Sequence, residues 1–171
     1  MRNIRVHIVL ISCVVVLLGG LLARGYLHST RVIEPLREAV EAVPGVAEVN
    51  LVPGEQVVKI ALHQSAYLSE IVPLVQKSLA AFGGQFTLEL MDEPTAEQRD
   101  ALRRMMFVVE EAILQGSFQD MEALLQEMAQ EYGQELTLAV DRSYVYIQLR
   151  DGEGHLNRVI GRGGTELGVS S

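Results

Sequence analysis

The chain has 171 residues and a formal net charge of −8 at pH 7, with 22 acidic side chains against 14 Lys and Arg. That balance argues against a nucleic-acid partner, whose phosphate backbone needs clustered Lys and Arg, and against a domain lying flat on anionic lipid. Cys13 is the only cysteine, which excludes a disulfide framework and a cysteine metal site, and neither a metal nor another cofactor is expected.

Residues 1–7 are short and basic. An apolar anchor follows over residues 8–24, built from Ile8, Val9, Leu10, Ile11, Val14, Val15, Val16, Leu17, Leu18, Leu21 and Leu22 between Arg5 and Arg24. The uninterrupted run from Ile8 to Ala23 is a little shorter than the roughly 20 residues that usually cross the hydrocarbon core. His7, Tyr26 and the arginines extend the usable span by sitting at the interface. A single transmembrane helix in the cell membrane is expected, in contact with lipid. The charges of Arg2 and Arg5 on one side nearly balance Arg24, Arg31 and Arg37 on the other. A very short basic N-terminus stays in the cytoplasm, which places the C-terminal domain outside it.

Three other readings fit less well. A cleaved signal peptide lacks its small-x-small site, because Leu21 and Ala23 are the nearest pair. Leu10-Ile11-Ser12-Cys13 resembles a lipobox, yet little apolar chain precedes Cys13 and the longest apolar part follows it. A buried core helix allows hydrophobicity all round, but not at an N-terminus between arginines.

After a polar neck over residues 25–31, residues 32–91 predict an αββαβ module. Leu36, Val40 and Val43 share one helical face up to the stop at Pro44-Gly45. Val46 to Val52 and the alternation around Val58, Ile60 and Leu62 predict an antiparallel hairpin across the Pro53-Gly54-Glu55 turn. Leu68, Ile71, Val72, Val75 and Leu79 form the next helical stripe. With Ser69 as N-cap, Pro73 falls in the first turn, where its missing N–H costs nothing. Phe86, Leu88 and Leu90 alternate in a third strand.

The spacing of Val43-Pro44-Gly45-Val46 ahead of the first strand, then the hairpin, then the helix before Phe86, resembles BON domains and the related ring-building motifs of bacterial envelope proteins. It covers residues 32–91 and includes no diagnostic motif. The resemblance implies modules that pack against copies of themselves or against lipid, without catalysis. A heavy-metal-associated module has a similar order, but its Cys-x-x-Cys is absent.

Residues 92–160 predict a helical segment and a β-hairpin. Asp92-Glu93-Pro94 is a hinge, and Thr95 with Gln98 makes a capping box. Leu102, Met105, Met106, Val109 and Ile113 recur at helical spacing up to Gly116-Ser117. Phe118, Met121, Leu124, Leu125 and Met128 continue the stripe towards Gly133, as one kinked helix or as a helical hairpin. Leu136, Leu138 and Val140 alternate against Val145, Ile147 and Leu149. Glu122 to Leu149 echoes Pro35 to Leu62, a possible degenerate repeat. Leu156 to Ile160 reads as a further turn of helix, and the Gly-rich residues 161–171 as a disordered tail.

No catalytic residue is expected. Val159-Ile160-Gly161-Arg162-Gly163-Gly164 is similar to the core of a KH nucleic-acid loop, but too little chain follows it for that domain. Asp151-Gly152-Glu153-Gly154 has too few oxygen ligands for a calcium loop and reads as a turn. His28, His63 and His155 lack neighbouring ligands, and only a deep pocket joining His63 or His155 to two carboxylates would point to an enzyme. The methionines fill core gaps, or else Met105, Met106, Val109, Phe118, Met121, Leu125 and Met128 form an adaptable interaction surface. The sequence thus predicts an α+β protein with helices packed on antiparallel sheet behind a membrane anchor. Its expected role is non-catalytic assembly at the envelope through a protein partner or self-association. A ligand-sensing domain is the alternative, favoured by an apolar cavity between helices and sheet.

Overall fold

The computed structural model describes residues 33–52, 56–83, 86–163 and 169–170. The predicted anchor, neck, Pro53-Gly54-Glu55 turn and most of the tail lie outside these. Among the described residues no helix is long and apolar enough to cross a membrane.

The elements are α1 (Glu34–Glu41), β1 (Val46–Leu51), β2 (Val57–Leu62), α2 (Leu68–Ala81), β3 (Thr87–Met91), α3 (Ala96–Gln115), α4 (Phe118–Glu131), β4 (Glu135–Val140), β5 (Tyr144–Arg150), β6 (His155–Gly161) and β7 (Val169–Ser170). The order α1-β1-β2-α2-β3 is the order the apolar periodicity predicts. The helical stripes behave as expected: Leu36 and Val40 of α1 and Leu68, Ile71, Val72, Val75 and Leu79 of α2 are all buried. Gly45 stands between α1 and β1 at φ +99, and a Cβ there would run into the Ile71 side chain, so only glycine serves.

Pairing follows expectation at the first hairpin and departs from it at β3, β7 and β6. The β1–β2 hairpin is antiparallel, with Val49 opposite Ile60. β3 runs parallel to β2, with Val58 opposite Leu88, because α2 carries the chain back to the starting end of the sheet. The sheet is therefore mixed, not purely antiparallel. Lys59 and Glu89 face each other across β2 and β3 as a 2.9 Å ion pair. β7 adds to β3 in parallel, Leu90 with Val169 and Met91 with Ser170, so these two tail residues are strand.

The second unit corrects the reading of Leu156 to Ile160. That segment is strand β6, not helix, and completes the antiparallel meander β4-β5-β6. The cause is visible in where its side chains go. Leu156 and Ile160 enter one core while Val159 enters another, so both faces are buried and period-two alternation vanishes. The residues around Gly116-Ser117 form a helical hairpin: Gly116 closes α3 at φ +74, and α4 returns so that the Tyr132 hydroxyl reaches Asp100 Oδ2 at 3.2 Å. The helix–hairpin order α4-β4-β5 repeats that of α1-β1-β2.

The layers follow from β5. Val145, Ile147 and Leu149 pack under α3 and α4, with Met105, Val109, Met121 and Leu125. Tyr146 points the other way, into the core that α1 and α2 build on the first sheet. α2 therefore lies between the sheets, running along β5 from Leu68 at Gln148 to Gln76 at the Tyr144 hydroxyl.

Candidate functional site

The residues expected to form an interaction surface are mostly interior. Met105, Val109, Met121 and Leu125 are at most 1% exposed, and Met106, Phe118 and Met128 pack against them. Their burial agrees with the reading of the methionines as core filling, the other of the two readings being a contact surface. Helical periodicity identifies an apolar face but not whether the partner covering it is another chain or this chain's own sheet. Among the described residues the large apolar side chains left most in solvent are different: Phe107 is 76% and Leu114 85% exposed, while Tyr67, Leu74, Leu124 and Val140 are about half exposed or less.

Two buried polar networks join the units. In the first, Gln148 reaches from β5 to the start of α2. Its Oε1 accepts from the Leu68 N–H at 3.2 Å and its Nε2 donates to the Ala66 carbonyl at 3.1 Å and to Asn157 Oδ1 at 3.0 Å. Asn157 in turn donates to Asp92 twice, through its backbone N–H at 2.9 Å and its Nδ2 at 2.8 Å. Burial raises the Asp92 pKa, opposed by these hydrogen bonds and by His155 and Arg158. The α2 cap therefore comes from Gln148, across the interface. Ser69 is not the N-cap; Tyr67 holds that position without a capping side chain, and Pro73 sits inside the helix.

The second network is centred on Gln98. The capping box with Thr95 is present. The Gln98 Nε2 also donates to Gln134 Oε1 at 3.0 Å and to the Gly154 carbonyl at 3.1 Å. Asp151 accepts from the Gly154 N–H at 2.8 Å, from Gln134 Nε2 at 3.1 Å and from the Thr95 hydroxyl at 3.1 Å. These bonds, led by the one from Gly154, hold the Asp151 carboxyl down at about 2. The Asp151-Gly152-Glu153-Gly154 segment is thus a turn whose carboxylate is committed to protein donors. A Cβ on Gly154 would stand 2.6 Å from the Glu93 carbonyl oxygen, so glycine is required there. The supposed hinge at Asp92-Glu93-Pro94 is pinned throughout: Asp92 to Asn157, the Glu93 carbonyl to the His155 N–H at 3.2 Å, and Thr95 to Asp151.

Between these networks lies a cleft. Glu135, Arg150 and His155 are register partners in a row across β4, β5 and β6, at the end of the sheet nearest the connector. His63 and Gln64 approach from the loop before α2, and Glu93, Glu153 and Gly154 close the far side. The main cleft has a volume of about 370 Å³, and a recess of about 20 Å³ lined by His63, Arg150, His155 and Asn157 opens beside it. One Arg150 nitrogen donates to the Ala66 carbonyl at 3.1 Å, which fixes the guanidinium at the boundary of the two. His155 does meet Glu93, Glu135 and Glu153 here, but in an open cleft. Among the described residues no three His, Cys, Asp or Glu side chains are placed to hold a metal ion.

A second depression of about 570 Å³ is lined by Arg142, Ser143, Tyr144 and Arg162. The described part of the Gly-rich segment, residues 161–163, leads out of strand β6 and so does not join two helices. Arg162 is occupied locally: its guanidinium stacks 4.5 Å over Phe118 and donates to the Asp141 carbonyl at 2.8 Å. Neither polar network nor cleft is visible as a sequence motif, since their residues come from four separated segments, 62–68, 92–98, 134–135 and 148–157. The one local signal is the Thr95–Gln98 box. No protein-family model matches this chain, and neither a curated protein nor a solved structure does.

Proposed function

We propose that this chain is a single-pass membrane-anchored protein of the cell envelope. In this reading its α+β part acts without catalysis, as an assembly module outside the cytoplasm. The observation that carries the proposal is the outer face of α3. Phe107 and Leu114 lie two helical turns apart, opposite the stripe Leu102–Met105–Val109 that faces the core. Single exposed apolar residues are ordinary, but two large ones on one face of one helix suit a protein contact. Arg103 and Glu110, both exposed, flank them and provide a polar rim. The sequence supports the anchor through its apolar run of 8–24.

The test uses the full chain in its membrane. A photo-crosslinking residue at position 107 or 114 should give discrete adducts, with a second copy or with a partner, and Phe107→Asp/Leu114→Asp should abolish complex formation without lowering Tm. No adduct at either position, or complexes that survive the double substitution, would overturn the proposal. A reporter fused to the C-terminus should be active only outside the cytoplasm; activity inside would refute the orientation.

A further inference from the structure

We propose that the cleft at the end of the second sheet binds a basic α-amino acid as its zwitterion. The carboxylate would enter the recess against Arg150, and the cationic side chain would lie towards Glu93, Glu135 and Glu153. The inference rests on the cleft alone and is independent of the outer face of α3.

The first support is segregation of charge. Among the described residues the only formally charged side chain lining the recess is Arg150, accompanied by the polar His63, Gln64, His155 and Asn157. Among the described residues the main cleft adds three carboxylates and no further Arg or Lys. A purely anionic ligand would face those carboxylates, and a simple diamine would leave Arg150 unanswered. A basic amino acid carries one negative and two positive centres, the complement of this arrangement.

The second support is preorganisation. A guanidinium has five N–H donors in a planar fork. The bond to the Ala66 carbonyl occupies one nitrogen of Arg150 and fixes the fork's direction. The remaining donors suit a carboxylate, the partner that Arg holds best in a bidentate pair. The walls are tied as well, since Asn157 is bonded to Gln148 and Asp92, and His155 is joined by its backbone to Glu93.

The third support is size. About 20 Å³ is room for one water-sized group, so one oxygen of the carboxylate enters the recess and the rest of the group stays at its mouth, in the main cleft that Arg150 also lines. About 370 Å³ lies at the lower end of small-molecule sites. Among the described lining residues Leu62 alone is aliphatic, so they offer a lipid tail no matching wall.

The experiment is calorimetric titration of the purified full chain, in nanodiscs, with L-lysine, L-lysinamide and cadaverine. L-lysine should bind saturably, and the two probes lacking a carboxylate should bind at least tenfold more weakly. Arg150→Gln should weaken L-lysine roughly ten- to hundredfold, the range for losing a hydrogen-bonded charge partner. Because Arg150 also holds Ala66, the exposed pair Glu135→Gln/Glu153→Gln provides a second arm. It should weaken L-lysine severalfold while preserving its preference over L-lysinamide. Absence of saturable L-lysine binding up to about 10 mM, a concentration that detects even millimolar sites, would overturn the proposal. So would equal affinity for L-lysinamide or cadaverine, or L-lysine affinity unchanged in both variants.

Discussion

Asp92 begins the pinned connector and Asp151 of the β5–β6 turn holds its other end through Thr95, and the two respond to pH in opposite senses. Asp151 is held below its ordinary value, at about 2, by donors from Gly154 and Gln134. Its stabilising effect is present above the unfolded value of 3.8 and is lost as pH falls towards about 2. Asp92 is raised by burial, so its contribution is fully present below 3.8 and is lost as pH rises through its folded value. The wild type should therefore lose stability relative to Asp92→Asn as pH is taken upward from about 4, while the cost of Asp151→Asn should fade as pH drops towards about 2. Urea unfolding of the three proteins across that range checks both signs, and parallel curves would refute them. Neither carboxylate announces itself in the sequence. Asp92 reads as part of a Pro-containing break and Asp151 as part of a Gly-rich turn, because what distinguishes them is the set of donors each meets: Asn157 of β6 for Asp92, and Gln134 and Thr95 beside the turn's own Gly154 for Asp151.

At the scale of elements, α2 depends on a residue that is not its own. Tyr67 at the N-cap makes no side-chain bond there, Pro73 interrupts the helical ladder, and the first N–H is satisfied by Gln148 of β5. Replacing Gln148 with Leu leaves the Leu68 N–H and Asn157 Oδ1 without this partner in a buried setting. A loss of about 2 to 6 kcal/mol is expected, at about 1 to 3 kcal/mol for each of the two orphaned groups. Chemical denaturation measures the loss, and amide exchange at Leu68 and Ile71 should accelerate with it. The helices themselves were legible because each buries one stripe and exposes the rest. The hairpins β1–β2 and β4–β5 were legible from alternation and turn residues. Strand β6 was not, since burial on both faces leaves Leu156, Val159 and Ile160 at spacings that mimic a helix. The parallel run of β3 was equally hidden, because direction is set by the crossover and not by the strand's own pattern. Gln134 and Gln148 looked like ordinary polar positions and Gln98 like a helix cap, yet each is buried.

At the scale of the molecule, the two cores share a wall. β5 gives Val145, Ile147 and Leu149 to one and Tyr146 to the other. Tyr146 is 1% exposed, and its hydroxyl donates to Asp141 Oδ2 at 2.7 Å. Tyr146→Ala should cost about 3 to 5 kcal/mol, as for other large aromatic truncations. Amides of β2 and β3 should then lose protection together with those of β4 to β6. Two separate thermal transitions in the wild type would refute this coupling. An order of elements is thus readable from periodicity, but the interlocking is not. The cleft belongs with the interlocking, since its lining is assembled only when the units meet.

The connector between β3 and α3 has a consequence for rebuilding the chain. Asp92, Glu93 and Thr95 are each fastened to the β5–β6 hairpin or its flanking strand, so the path there has no slack. Extra residues spliced into that segment would pull capping box, turn and sheet edge out of step at once. The bend at Gly116, exposed and with open space around it, is where the same splice would be absorbed. A tag or a new terminus for this protein belongs at the tip of the helical hairpin, and the short link that looks like a seam is where the chain should be left uncut.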